Sequence, residues 1–409
     1  MHYNMDYSPF SPTDTVLVTG ASSHVAQHIV AQLLAKSSGP YVRATVETEE
    51  SALLLESAFL THVRSGRLLI LFVPDVLAEG AFNEVVRDVT HIAHLAAPMA
   101  VRARDVEKEL LIPAIASTTG ILKAALKETS IKSVVLTSSF GAILDPAHGF
   151  RPGYTYTSDD WNPITYEEAA DPDLDLGRWE PQWRPFISYM ASKTVAEKAA
   201  WDLYNREMPD WGLTVLNPVY IGGPCAVPLT SGPHCLSWSN TLIWTVALGG
   251  NLAEDYPFWV DVRDVAKAHV EALVRPQVWG RRWILASGRM LYSEVIMDPT
   301  DHHKNGCLVF FISYHVGSGL TFVNSVDGRN HPPDFSWAGF INQKRKGKRR
   351  CPLVFQERSI LSHSSQGSLE HYSVDNENTL QALGLGHWIS PRDMVVELVK
   401  QISSAKMFK

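Results

Sequence analysis

The sequence predicts an α/β protein built on a doubly wound parallel sheet, with a smaller, partly irregular C-terminal lobe. Two observations support this fold class. Short aliphatic and β-branched runs alternate with amphipathic helical stretches over the first two-thirds of the chain, which is the pattern of a parallel sheet covered by helices. The first run ends at a glycine turn that leads into a helix, as in sheets that bind a ligand beyond the carboxyl ends of their strands.

Six strands and four helices make up this alternation. The predicted strands are the short runs rich in Val, Ile, Leu or Thr: TVLVTG (15–20), YVRATV (41–46), RLLILFV (67–73), THIAHLAA (90–97), KSVVLTSS (132–139) and LTVLNPV (213–219). The predicted helices carry apolar residues three and four apart: residues 24–36, 79–88, 107–128 and 186–207.

The composition argues against several classes of function. The formal net charge of -7 gives no basic footprint for nucleic acid or for an anionic membrane surface. No stretch approaches the roughly 20 apolar residues that a membrane-spanning helix needs, and the first residues lack the cationic start and apolar run of a signal peptide. The four cysteines show neither a disulfide framework nor metal-ligand spacing. We therefore expect a cytoplasmic protein without a metal, nucleic-acid or membrane partner.

The stretch VLVTGASSHVAQHIV (16–30) has the order of a dinucleotide cradle: strand, glycine turn, helix. Of the three glycines that such turns carry, only Gly20 is present, and Ser23 and Ala26 occupy the other two positions. Ser23 places a Cβ where a pyrophosphate comes closest, although its hydroxyl and the N–H groups at the helix start can donate to phosphate. By itself the turn leaves an ordinary strand–turn–helix open.

Three other residues point to carbonyl chemistry. Tyr189 and Lys193 are four apart in SYMASK, so both project from one face of a helix. A neighbouring ammonium favours the charged form of a phenol, which makes proton exchange near neutrality possible. Ser139 ends the strand VVLTSS and is expected at the ligand-binding edge, where its hydroxyl can polarise a carbonyl. A Tyr–Lys pair alone also fits a surface helix, but the three residues together predict catalysis.

These stretches resemble the extended short-chain dehydrogenase/reductase superfamily, which includes the NAD-dependent epimerases and dehydratases. The resemblance is closer to the dihydroflavonol-reductase-like branch, with its fungal aldehyde, methylglyoxal and ketone reductases. It covers roughly residues 14–297 and is carried by VLVTGAS, YVRATV, HIAHLAAP, VVLTSSFGAI, YTSDDWNPIT, YMASKTVAEKAAWD, LNPVYIGGP and FWVDVRDVAKAHVEAL.

The resemblance implies an NAD(P)H-dependent oxidoreductase that reduces an aldehyde or ketone to an alcohol. Its catalytic residues fall on Ser139, with Ser138 as the alternative, and on Tyr189 and Lys193. The implied cofactor-binding residues are Gly20, Ser22, Ser23, His24, Val25, Arg43, Glu47, Asp75, Val76, Ala96, Ala97, Pro98, Tyr189, Lys193, Pro218 and Val219. Among these, Asp75 corresponds to the acidic residue on the adenine side, and Pro218 and Val219 to the residues beside the nicotinamide.

Glu47 departs from the pattern of the family in a way that bears on the cofactor. NADPH-using members carry an arginine after the VRATV strand, where it pairs with the 2′-phosphate. A carboxylate there repels that phosphate and can accept a hydrogen bond from a free ribose hydroxyl, as in NAD enzymes. Arg43 is close in sequence but stands in mid-strand. The resemblance favours NADP(H), and Glu47 keeps NAD(H) open.

The resemblance also implies a division of the chain. It places a dinucleotide-binding Rossmann core at residues 1–220, onto which segment 258–275 packs back, and mainly a substrate lobe at residues 221–409. Residues 298–368 separate two family-like segments without a clear pattern of their own, and they mark an anomalous insertion. Either a lineage-specific insertion or an intron retained in the gene model explains it.

Two other functions remain open at this point. A sugar-nucleotide epimerase or dehydratase uses the same core with a tightly held NAD. A catalytically inactive nucleotide-binding homologue fits the altered turn at Ser23 and the interrupted C-terminal lobe. For the reductase, a small-molecule carbonyl substrate is the expected partner, and a monomer or homodimer is the expected assembly.

Overall fold

The computed structural model describes residues 10–97, 103–229, 236–247, 252, 255–292 and 370–405, together with the backbone of three short strands between residues 295 and 355. The strands in this part of the chain are β1 (Thr15–Thr19), β2 (Tyr41–Val46), β3 (Leu68–Phe72), β4 (His91–His94), β5 (Ser133–Thr137), β6 (Thr155–Tyr156), β7 (Gly212–Pro218), β8 (Tyr220–Gly222), β9 (Phe258–Asp261), β10 (Arg281–Leu285), β11 (Gly288–Arg289), β12 (Val295–Met297), β13 (Val309–Ile312), β14 (Val354–Phe355) and β15 (Ser373–Val374). The α-helices are α1 (His24–Leu34), α2 (Glu49–Ala58), α3 (Leu60–Arg64), α4 (Ile112–Ala125), α5 (Tyr166–Ala170), α6 (Ile187–Glu207), α7 (Trp238–Ala247), α8 (Val262–Leu273), α9 (Glu377–Leu383) and α10 (Pro391–Ser404).

Seven strands form one parallel sheet in the order β10-β7-β5-β4-β1-β2-β3. The chain changes direction across the sheet between β1 and β4, and doubly wound sheets bind ligands outside the carboxyl ends of the strands at such a switch point. The six predicted strands are all present, and the doubly wound parallel sheet is confirmed. The sequence pattern does not predict the seventh strand, β10, because its run RRWIL begins with two arginines.

One predicted helix is wrong. Residues 79–88 form a series of turns instead, and both Gly80 (φ 74°) and Asp88 (φ 58°) have the positive φ that a right-handed helix excludes. The apolar residues of this segment are buried against the sheet, so burial without a helix accounts for their spacing. The predicted helix at 107–128 is present as α4, preceded by a π-helical turn at Glu107–Leu111.

The two faces of the sheet carry separate apolar cores, because successive residues of a strand point to opposite faces. Along β1, Val16 and Val18 belong to the core beneath α1 and α8, whereas Leu17 belongs to the core beneath α4 and α6. Burying each such side chain stabilises the fold by roughly 1.5–3 kcal/mol. The sheet, with its carboxyl edge, is therefore held between two layers of helices.

A smaller sheet follows the central one, with the strand order β11-β9-β8. A third apolar core, which includes Ile243, Trp259 and Met394, lies where α7 and α10 pack against this sheet. Helix α8 follows β9 directly and packs on α1. Of the predicted insertion at 298–368, the structure describes β13 and β14, and the rest lies outside the described residues. The division of the chain at residue 220 stays a prediction.

Candidate active site

The predicted site residues stand mainly at the carboxyl ends of parallel strands. Because all strands of the central sheet run the same way, these ends share one edge. The strand ends carry Gly20 (after β1), Glu47 (after β2), Asp75 and Val76 (after β3), Ala96 and Ala97 (after β4), Ser138 and Ser139 (after β5), Pro218 (at the end of β7) and Val219 (after β7). Pro98 lies outside the described residues. The sheet therefore brings residues from distant parts of the chain to one line.

The turn after β1 requires a glycine. Gly20 has φ +62°, and a Cβ at this position would lie 3.1 Å from both the N and the Cα of Ala96. The hydroxyl of Thr19 accepts hydrogen bonds from the N–H groups of Leu95 (3.0 Å) and Ala96 (3.1 Å). The glycine turn and the end of β4 are thus locked together, which forms the floor of the predicted cradle.

The start of α1 offers hydrogen-bond donors. Ser23 is the N-cap residue, has an extended backbone, and makes no capping hydrogen bond with its hydroxyl. The first N–H groups of an α-helix have no acceptor within the helix, and the positive end of the helix dipole lies there. The N–H of Val25 belongs to this first turn, and Ser22 precedes it, with its carbonyl accepting from Gln27 Nε2 at 2.7 Å. This helix end can therefore bind an anion.

The His24 side chain serves a structural contact. Its Nε2 lies 3.1 Å from the carbonyl oxygen of Gly223 and 3.2 Å from that of Pro224. Burial, together with the neighbouring His28, lowers the pKa of His24 to about 4, so the ring is neutral at physiological pH. The side chain fastens α1 to the segment after β8, and only the backbone N–H of His24 remains for a phosphate.

The Arg43 side chain makes hydrogen bonds to the backbone of another segment. Its Nη1 donates to the carbonyl oxygens of Val85 (2.8 Å) and Arg87 (2.7 Å), in the segment that precedes β4. That segment leads to the amino end of β4, whereas the site is at the carboxyl ends. The guanidinium of Arg43 is thus bonded to backbone carbonyls near the amino end of β4, and its role in cofactor binding stays a prediction.

The two acidic residues predicted to bind the cofactor, Glu47 and Asp75, are exposed. Glu47 is exposed, one residue beyond β2, and Asp75 is exposed beyond β3, with its Oδ1 accepting from the N–H of Leu77 at 2.9 Å. Val76 beside it is half-buried. Since β2 and β3 are adjacent in the sheet, both carboxylates stand at the same corner of the edge.

The two serines after β5 have different partners. The Ser138 hydroxyl donates to Glu197 Oε2 at 2.5 Å. The Ser139 oxygen accepts from the N–H of Gly141 at 3.1 Å, which leaves the hydroxyl hydrogen of Ser139 for another acceptor. Of the two, the geometry favours Ser139 as the residue that donates to a substrate.

Helix α6 places Tyr189 and Lys193 on one face, and the Lys193 Nζ lies 5.7 Å from the centroid of the Tyr189 ring. Lys193 lines a small cavity together with Ser138, Ala96 and other residues of the strand ends. A Cβ on Gly141 would lie 3.0 Å from the Met190 side chain, so the turn after β5 approaches α6 very closely. The turn after β5 and the first part of α6 therefore lie side by side at the sheet edge.

Several buried polar residues here were not part of the predicted set. The His94 Nδ1 lies 2.9 Å from the Thr19 hydroxyl, and burial with the nearby charge of Lys193 lowers the pKa of His94 to about 3. Glu197 is buried and accepts from Ser138. The signal for Glu197 is visible in the sequence, because it falls four residues after Lys193 and hence one helical turn further along the same face.

The chain can be compared with known proteins. It matches the 3-beta hydroxysteroid dehydrogenase/isomerase family over residues 17–153. It is 32% identical over 293 residues to an NADPH-dependent methylglyoxal reductase of Saccharomyces cerevisiae, a match that covers 69% of this chain and 80% of the relative. The chain belongs to the extended short-chain dehydrogenase/reductase superfamily.

Other members of this superfamily place the chain more closely. A ketoreductase of Aspergillus niger is 33% identical over 284 residues, covering 67% of this chain and 78% of the relative. A cinnamoyl-CoA reductase of Medicago truncatula is 32% identical over 284 residues, covering 69% and 79%. The crystal structure of yeast methylglyoxal/isovaleraldehyde reductase Gre2 complexed with NADPH superposes with a TM-score of 0.69 at 26% identity, covering 95% of this chain and 98% of that one. The predicted resemblance to the dihydroflavonol-reductase-like branch is confirmed.

Proposed function

We propose that this short-chain dehydrogenase/reductase is an NADP(H)-dependent carbonyl reductase, which reduces a small aldehyde or ketone to an alcohol. The observation that carries the proposal is the position of Tyr189 and Lys193 on one face of α6, a helix that packs against the turn directly after Ser139. Relatives of the chain are named as methylglyoxal reductases and ketoreductases, which supports the same reaction.

The site fits a dinucleotide. Gly20 keeps the turn close to Ala96, and the first N–H groups of α1, with the exposed Ser23 beside them, suit a pyrophosphate. In this proposal Lys193 would hold ribose hydroxyls, and Pro218 would lie beside the nicotinamide. Bound NADPH supplies a hydride to the carbonyl carbon of the substrate. NAD(H) is the second candidate, and Glu47 is the observation that favours it.

In this mechanism the side chains act on the carbonyl oxygen. Ser139 donates a hydrogen bond to that oxygen and stabilises the negative charge that develops on it. Tyr189 donates its phenolic proton to the same oxygen, which completes the alcohol. The ammonium of Lys193 favours the negative charge left on the Tyr189 oxygen. Holding the carbonyl close to the hydride donor supplies a large part of the rate acceleration.

Replacement of the tyrosine tests this function. In Tyr189→Phe we expect turnover of methylglyoxal or isovaleraldehyde, followed by NADPH absorbance, to fall about 10²–10⁴-fold, because the proton donor is lost. NADPH binding, followed by nicotinamide fluorescence, should stay within about twofold. Tyr204→Phe is the matched control, since the Tyr204 hydroxyl lies on the same helix and contacts the Trp211 carbonyl instead. A Tyr189→Phe protein with wild-type turnover would remove the tyrosine from this role.

The location and assembly of the protein are also proposals. In the part of the chain that the structure describes, no helix is both long and apolar enough to cross a bilayer. Among the same residues, no three His, Cys, Asp or Glu side chains are grouped to hold a metal ion. We propose a cytoplasmic enzyme that acts as a monomer or homodimer. Light scattering on the purified protein measures the assembly, and fluorescence microscopy of a tagged chain measures the location.

A further inference from the structure

A buried polar cluster lies directly behind the serine turn. Glu197 is 3% exposed, and its carboxylate accepts hydrogen bonds from three side chains at short range: Ser138 Oγ (2.5 Å), Asn217 Nδ2 (2.8 Å) and Arg282 Nε (2.5 Å). Arg282 also forms the ion pair that balances the charge of Glu197. We refer to Glu197, Ser138, Asn217 and Arg282 as the Glu197 cluster.

The cluster connects the elements that carry the catalytic side chains. Glu197 is one helical turn beyond Lys193 on α6. Asn217, near the end of β7, donates both to Glu197 and to the main-chain carbonyl of Ser139 at 3.1 Å. Arg282, on the edge strand β10, donates to main-chain carbonyls beyond β6 as well. One carboxylate thus links the helix of the tyrosine to the strand end of the serine.

A gain in stability does not account for the burial of this carboxylate. A charge taken out of water costs several kcal/mol, and an ion pair with hydrogen bonds to the remaining lone pairs roughly offsets that cost. Apolar residues of similar volume often stabilise a core equally well or better. What this cluster supplies is a fixed geometry, because the carboxylate of Glu197 holds the donors of Ser138, Asn217 and Arg282 in set directions.

We propose that Glu197 is a positioning residue for the reaction: through Ser138 and Asn217 it fixes the end of β5 against α6, and thereby sets Ser139 relative to Tyr189. The inference rests on the proposed carbonyl reduction. Glu197 touches neither substrate nor cofactor in this role and acts only through Ser138 and Asn217. A displacement of about 1 Å in such a reacting group lowers turnover by about 10²-fold.

A double-mutant cycle tests the proposal. Ser138→Ala and Glu197→Gln are each measured in the wild-type background and in Ser139→Ala. In the wild-type background we expect kcat to fall about 10-fold for Ser138→Ala and about 10–100-fold for Glu197→Gln, with the NADPH Kd within about twofold. In Ser139→Ala we expect less than a twofold further loss from either change, because the group being positioned is gone.

Equal fold-losses in both backgrounds would overturn the proposal, since a purely structural effect does not depend on Ser139. Unchanged kcat in the wild-type background would overturn it too.

Glu197→Gln leaves the Arg282 charge buried without its partner, so thermal unfolding is measured with each assay. Ser138→Ala keeps that ion pair, and the cycle relies on this variant if Glu197→Gln does not fold. Glu207→Gln, the same change at the exposed end of α6, should leave the kinetics unchanged. A wild-type protein without carbonyl turnover refutes the proposed function itself, which separates the two failures.

Discussion

The two ends of the candidate site hold their geometry by different means. At the phosphate end, the main chain forms the site: the φ of Gly20 and the N–H groups of the first turn of α1. At the catalytic end, side chains form it, with Ser139 and Tyr189 set by the buried Glu197. A site made of backbone tolerates a changed side chain at its rim, such as Ser23, as long as the chain path is kept. In our proposal, this difference explains how the chain departs from the glycine pattern of the family and still keeps the predicted serine, tyrosine and lysine.

A fall in pH should destabilise the fold at both ends of the candidate site. His94 contacts Thr19 at the phosphate end, and the Nε2 of His269 lies 2.7 Å from the Thr137 hydroxyl at the catalytic end. Burial lowers the pKa of His94 to about 3 and that of His269 to about 4. The unfolded chain binds these protons near pH 6.5, so stability is fully present above that pH and is lost as the pH falls towards 4. We expect a loss of about 3 kcal/mol for each histidine by pH 4.

One group works against this loss. Burial raises the pKa of Asp264 to about 6, so the folded state binds a proton more tightly than the unfolded chain between about pH 6 and 4. That proton stabilises the fold on acidification and offsets part of the loss. Urea unfolding at pH 7, 6, 5 and 4 measures the sum. Buried His24 and His91, whose pKa values are also lowered to about 4, contribute in the same direction as His94 and His269. A free energy of unfolding that stays level or rises across this series would show that the buried histidines do not control acid stability.

Gly20→Ala should impair the phosphate end of the candidate site and leave the catalytic end nearly unchanged. The added Cβ meets the Ala96 backbone at 3.1 Å with φ +62°, so the turn must shift. We expect the NADPH Kd to rise at least about 10-fold and the free energy of unfolding to fall by about 1–3 kcal/mol. At saturating NADPH, kcat should stay within a few-fold, the reverse of Tyr189→Phe. Gly66→Ala is the matched control, because Gly66 has φ +76° with nothing within 4 Å. It should lose stability and keep NADPH affinity, and a Gly20→Ala protein that binds NADPH normally would contradict this account.

Glu47→Arg should increase the preference of the candidate site for NADPH over NADH. We expect wild-type protein to bind NADPH more tightly than NADH, and the arginine to raise that ratio by about 10-fold through a charge-assisted contact with the 2′-phosphate. Fluorescence titrations with both nucleotides measure the ratio. Glu49→Arg makes the same charge change two residues away at the start of α2 and controls for general attraction. Tighter NADH binding by the wild-type protein would make Glu47 the selector and bring NAD(H) forward as the cofactor.

Ser23→Ala should have the smallest effect. If the helix N–H groups carry the pyrophosphate, loss of one hydroxyl should weaken NADPH binding by at most about threefold. Ser23→Gly, which restores the glycine of the family, should bind at least as well as the wild type. A loss beyond about 10-fold in Ser23→Ala would show that the hydroxyl is a principal phosphate ligand, and the contrast between the two ends would then weaken.

The sequence predicts the sheet well because its strands are continuous apolar runs bounded by polar turns. Prediction fails where a residue is decided by a distant partner. Arg282 is a charged residue in a buried strand, so β10 lacks the continuous apolar run that predicts a strand. It is buried only because Glu197, 85 residues earlier in the chain, neutralises it. No local pattern contains that pairing.

The same limit applies within the site. The order of Gly20, Ser139, Tyr189 and Lys193 follows from the strand–helix alternation and was accessible to spacing arguments. The choice between Ser138 and Ser139 was not, because it depends on which hydroxyl meets Glu197. In parallel sheets, adjacent strand ends are brought together by long crossovers, so the partners of an end residue are set by topology and not by neighbours in sequence.

Helix α6 has a consequence for how this enzyme can change. Tyr189, Lys193 and Glu197 occupy three successive turns of one stripe, each about 6 Å from the next. Substitutions elsewhere on the helix leave that stripe intact, whereas a single inserted or deleted residue within it rotates the remaining turns by about 100° and separates the tyrosine from its support. The spacing between Tyr189, Lys193 and Glu197 along α6 therefore cannot change without moving one of them off the common face.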